Sequence, residues 1–168
     1  MHKNLRARLL VAGAVAAALG LAAVTPALAA PAPSGAPHAT TVAPASVQGD
    51  PRDATDRVAD FYGAYIDAVW STDDPAAGAQ AKALRAFYLS PAARKKVAAY
   101  EAREHADGIL FAQNVPVKWD VTYTGSGAGH STARVTLTWS EGEHPEVSRI
   151  KVRSDLATGK ITDLAQTG

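Results

Sequence analysis

The chain has 168 residues, 47% of them hydrophobic, a formal net charge of +1 and no cysteine. That length suits one domain with appendages rather than two full domains. The small charge excludes an electrostatic nucleic-acid binder. The missing cysteine excludes disulfides, thiol catalysis, thiolate metal sites and a lipid-modified Cys anchor.

Residues 1–29 read as a secretory signal peptide. Lys3, Arg6 and Arg8 form a positive n-region, and Leu9 to Val24 is an uncharged apolar run. Pro26 breaks it before the small-x-small sequence Ala27-Leu28-Ala29. Cleavage is predicted between Ala29 and Ala30, because a cut one residue later would put Pro31 beside the bond. The alternative is an uncleaved anchor, since Leu9 to Ala30 is 22 residues without a charge and just long enough to span. Cleavage removes three of the 17 bases and none of the 16 acids, so the mature chain carries −2. The predicted location is secreted or extracytoplasmic, with membrane contact only through the signal segment before cleavage.

Residues 30–49 contain no Asp, Glu, Lys or Arg and carry Pro31, Pro33, Pro37 and Pro44, so they read as a disordered Ala/Pro-rich tether. The folded domain is predicted over residues 50–168. Asp53 to Trp70 reads as an amphipathic helix with Val58, Phe61, Tyr62, Tyr65, Ile66 and Val69 in one stripe and Asp53 or Thr55 as its cap. Ala76 to Tyr88 is a shorter helix with Leu84, Phe87 and Tyr88 on its apolar side. Ser90-Pro91 starts a third, which turns Ala93, Val97 and Tyr100 inward and runs to about His105, with Asp107-Gly108 as the breaking turn.

The period then changes to two. Val117, Trp119, Val121 and Tyr123 alternate with polar residues, as do Ala133, Val135, Leu137 and Trp139, then Ile150 and Val152. A last short strand spans Ile161 to Leu164. Ile109 to Val115 fits either a buried strand or a loop. Helices first and a meander second predict an α+β fold: three N-terminal helices packed on one face of a curved, four-stranded or larger antiparallel sheet.

Val58-x-x-Phe61-Tyr62-x-x-Tyr65, then Tyr88-Leu89-Ser90-Pro91, then Gln113-Asn114 and Trp119 resemble an uncharacterised family of exported bacterial domains in the NTF2-like (cystatin-like) superfamily. The resemblance spans most of residues 55–165 and rests on aromatic, structural positions. It implies a cone-shaped α+β fold. It implies no activity, because that superfamily holds isomerases, dehydratases, transport factors and plain binding domains.

The polar motifs carry little chemistry. His130 and His144 flank the second strand about 30 Å apart, and no ligand cluster of metal spacing exists, so no metal and no cofactor are predicted. Gly125 to Gly129 lacks the helix N-terminus a phosphate loop needs and reads as a hairpin loop. Glu141, Glu143, His144 and Glu146 read as a soluble turn. Two signals remain. Tyr62, Tyr65, Tyr88, Phe111 and Trp119 are candidates to line an apolar pocket in the cone, although such a stripe also makes an ordinary core. Lys118, Arg134, Arg149, Lys151 and Arg153 fall on one face of the sheet by alternation and are candidates to bind an anionic partner.

These features predict a secreted, non-enzymatic domain that binds a small apolar ligand, a peptide or a cell-envelope component, or that self-associates. The alternative is a pocket-type enzyme with isomerase or dehydratase chemistry, which needs a buried Asp, Glu or His facing Tyr62 or Tyr65. No catalytic residue is assigned, and nucleic acid is not a predicted partner.

Overall fold

Three helices precede a four-stranded antiparallel sheet in the computed structural model, which describes residues 48–167. The predicted signal peptide, its cleavage site and nearly all of the tether lie outside those residues. Helix α1 covers Ala54–Trp70 and is capped by Asp53, whose carboxylate accepts the amides of Thr55 and Asp56 at 2.7 and 3.0 Å. Helix α2 covers Ala77–Tyr88. Helix α3 covers Pro91–Glu104, with the Ser90 hydroxyl accepting the Ala93 amide at 3.2 Å and proline in the first turn. It stops at His105, where the predicted helix also ends, and that residue takes the left-handed conformation (φ 52°). Among the described residues, no helix is long and apolar enough to cross a membrane.

Strands β1 (Lys118–Gly127), β2 (His130–Thr138), β3 (Val147–Asp155) and β4 (Ile161–Thr167) form a simple meander in sequence order. The glycine-rich loop is tighter than predicted. β1 runs on to Gly127, and the turn is Ala128-Gly129 with φ of 50° and 79°. Two positive φ angles are what a two-residue type I′ hairpin requires.

The inner sheet face carries Val135, Leu137, Ile150 and Val152, which pack under Val58, Phe61, Tyr62, Tyr65 and Ile66 of α1. α1 lies on β1 and β2, and α3 on β4. The ambiguous segment after α3 is a series of turns rather than a strand, yet Ile109 and Leu110 are fully buried in it. Three expected core positions fall elsewhere. Phe87 is 57% exposed on α2, where Arg57 and Lys160 sit 5.8 and 4.8 Å from its ring centre. Trp119 and Tyr123 share the inner face with Leu137 and Ala133 by register, but β1 is an edge strand that the helices only partly cover.

Candidate functional site

The five pocket candidates do not line one cavity. Tyr62 and Tyr65 are fully buried, and the Phe61 ring centre lies 5.4, 5.5 and 5.3 Å from those of Tyr62, Tyr65 and Tyr88. Four aromatic rings at these separations make a solid cluster with edge and tilted contacts. Phe111 is half-buried, packs edge-on against Tyr100 at 4.8 Å and lines a hollow of about 150 Å³. The walls of that hollow include Val97, Gly108 and Leu164 but none of the other four candidates. Trp119 lies at the β1 edge with its ring against Gly63 of α1.

The buried hydroxyls explain why the cluster closes. A buried tyrosine needs a partner for its O–H. Tyr62 donates to the Ile109 carbonyl at 3.2 Å, and Tyr65 donates to Asp107 Oδ2 at 2.5 Å. Arg85 of α2 donates to the Tyr65 oxygen and pairs with Asp107 at 2.9 Å and Glu101 at 2.7 Å. Asp107 Oδ1 in turn accepts the amides of Ile109 and Leu110, and Glu101 accepts the Gly108 amide. One cation and two carboxylates therefore tie α1, α2, α3 and the following turn together.

Burial, and then the Asp107 charge, push both tyrosine pKa values well up, with Arg85 opposing the rise at Tyr65. Both hydroxyls are therefore donors at neutral pH. Burial alone would lower the Arg85 pKa, but Tyr65, Asp107 and Glu101 reverse that, and its net shift is upward. Sequence reasoning missed Arg85, Glu101 and Asp107. The usable signal was the obligation of a buried Tyr65 hydroxyl to find a polar partner.

The basic candidates divide by register. Arg134 stands directly opposite Lys151, Thr136 opposite Arg149, and Thr132 opposite Arg153. These four cations are exposed on the outer face, away from the helices. Arg149, Lys151 and Arg153 repeat every second residue of β3, about 6.6–6.8 Å apart. Arg134, Arg149 and Lys151 border a shallow hollow of about 570 Å³ together with Thr124 and Thr167. Lys118 shares the face but sits apart at its corner, opposite Thr138 and two residues from Asp120. Among the described residues, none of the five makes an ion pair. Asp163, opposite Arg153 on β4, is held by Lys96 at 2.5 Å.

Glu141, Glu143, His144 and Glu146 lie in an exposed loop, and no group of three or more His, Asp or Glu side chains among the described residues is placed to hold a metal ion.

No family model matches the chain, and no curated protein does. One solved structure is similar: a crystal structure of a protein of unknown function from Bacteroides thetaiotaomicron VPI-5482. It is 21% identical with a TM-score of 0.54, over 67% of this chain and 88% of that one. The likeness is one of fold: an α+β domain shared with an uncharacterised bacterial protein.

Proposed function

We propose that the chain is an exported, non-enzymatic binding domain of the NTF2-like type, and that its outer sheet face holds an anionic polymer of the cell envelope. The observation that carries this reading is the unpaired cluster Arg134, Arg149, Lys151 and Arg153. Arg134 opposite Lys151 is a like-charge cross-strand pair, which costs stability unless something else favours it. An anion laid along β3 meets a cation at each second residue, with Thr132 and Thr136 of β2 beside Arg153 and Arg149. The order of elements, three helices and then a meander with the longest helix on its inner face, supports the NTF2-like assignment. The positive n-region, apolar run and Ala27-Leu28-Ala29 support export.

The isomerase or dehydratase alternative draws support from Asp107, which does face Tyr65. That hydroxyl is already shared between Asp107 and Arg85 on a side chain only 1% exposed, so a substrate atom has no approach to it.

The test is binding of poly(glycerol phosphate) by the wild type and by Arg149→Ser/Lys151→Ser/Arg153→Ser. The expected result is affinity that falls steeply with salt and is lost in the triple variant while the melting temperature does not fall. Retained affinity in that variant would falsify the reading.

A further inference from the structure

The two edges of the sheet are treated differently. The β4 edge is capped: the Ser90 amide donates to the Ile161 carbonyl at 2.9 Å, and Lys96 donates to the Leu164 carbonyl at 2.9 Å. The β1 edge pairs with nothing among the described residues, over ten residues free of proline. A long open edge with unpaired amides and carbonyls is a template for another strand.

Apolar surface runs beside this edge. Val117 is 40% exposed, Trp119 38% and Tyr123 54%. The Trp119 ring lies over Gly63 so closely that a Cβ there would come within 2.9 Å of Trp119 Cζ2. Gly63 thus gives the indole a seat on the flank of α1. Trp70, 63% exposed, lies two helical turns further along the same side of the helix. Asp60 and Asp67, three residues before Gly63 and four after it, project from α1 next to that seat. Both are exposed, and neither makes an ion pair among the described residues. An exposed indole face flanked by two free carboxylates suits a guanidinium or ammonium group through cation–π and ionic attraction together.

We infer that the β1 edge is a docking site for an extended cationic segment of a partner protein, which adds a fifth strand to the sheet. Main-chain hydrogen bonds to β1 supply the pairing, and alternate Arg or Lys side chains reach the ground between Trp119, Tyr123 and the α1 carboxylates. The acids set the sign of the partner. A second copy of this chain would instead bring two acidic α1 flanks toward each other across a shared edge.

The probe is an alternating (Thr-Arg)₄ peptide titrated into the full chain, with (Thr-Glu)₄ as the opposite charge. Binding is read by calorimetry and by hydrogen exchange at Lys118 to Thr124. Expected are new amide protection along β1 with the cationic peptide only, any (Thr-Glu)₄ contact falling on the outer cationic face, and at least a tenfold weaker Kd for (Thr-Arg)₄ in both Asp60→Asn/Asp67→Asn and Trp119→Ala. The double Asn variant alters only exposed side chains and keeps the melting temperature of the wild type, which separates lost binding from lost folding. Protection of β1 by (Thr-Glu)₄, unchanged (Thr-Arg)₄ affinity in the double Asn variant, or absence of β1 protection by (Thr-Arg)₄ would each overturn the inference. So would dimerisation of the peptide-free chain through β1 in sedimentation.

Discussion

Lys151→Glu is expected to stabilise the domain while disrupting its proposed anion-binding face. Lys151 stands opposite Arg134 and between Arg149 and Arg153 on its own strand. The cross-strand partner is about 5.5 Å away and the two flanking cations about 6.6–6.8 Å. These are Cα spacings, so they set the upper end of the repulsion: in water, unit charges that close repel by about 0.6–0.8 kcal/mol, and physiological salt roughly halves that. The three repulsions then sum to about 0.9 kcal/mol, and reversing one charge turns them into attractions. The expected gain is about 1–2 kcal/mol, or a rise in melting temperature of about 4–8 °C for a domain of this size. Thermal unfolding followed by circular dichroism in 0.05 and 0.5 M NaCl checks it, because the gain should shrink at high salt. Lys151→Gln should give about half the gain. An unchanged or lower melting temperature, or a gain indifferent to salt, would refute the view that these cations stand unneutralised at a cost in stability.

Other outcomes follow from the packing. Gly108→Ala should cost about 1–3 kcal/mol in chemical denaturation, because the new Cβ would lie 2.8 Å from the Val97 carbonyl oxygen and 2.9 Å from Val97 Cγ1. Gly78→Ala in the first turn of α2 meets nothing within 4 Å and should gain about 0.5 kcal/mol. Tyr65→Ala should cost about 3–5 kcal/mol; Trp119→Ala, on a side chain already partly exposed, should cost about 1–2 kcal/mol, and equal losses would contradict the edge placement of Trp119. Tyr62 and Tyr65 have folded pKa values raised above the ordinary value of 10.0, so the stability they contribute is intact below about pH 10 and is lost as pH climbs past it. Phenolate absorbance of these two should therefore appear together with alkaline unfolding, and early ionisation in a folded chain would argue against their burial.

Local periodicity carried most of the fold. The α1 stripe, the Ser90-Pro91 restart and the alternation of three strands all express a regular spacing that burial imposes on one face of an element. What could not be read depended on partners distant in sequence. Tyr65, Arg85 and Asp107 are each separated by twenty or more residues, and only the three-dimensional path of the chain brings them together. The exposure of Trp119 had the same origin. Its inward register was legible, but its place on an uncovered edge followed from strand order, which no local pattern specifies. The basic face was legible to the level of alternation, and the register then separated Lys118 from the other four.

The near-neutral formal charge conceals a separation that the fold makes spatial. Residues 50–74 hold seven acids and two bases, and most of those acids belong to α1 or its ends. α1 rests on the inner face of the sheet, whereas the β3 cations point from the outer face. The helical layer over β1 and the opposite surface of the sheet therefore carry opposite sign. Between them, the half-buried Arg85 is matched by two carboxylates, as a desolvated cation requires. Exposed like charges face a smaller penalty, because water and salt screen them, so the surface can hold both clusters at a modest loss of stability. Interleaving the signs would be more stable and would give neither face a preference. Keeping them apart is what the two proposals together require: an anionic polymer beneath the sheet and a cationic strand at the β1 edge each need a face of one sign.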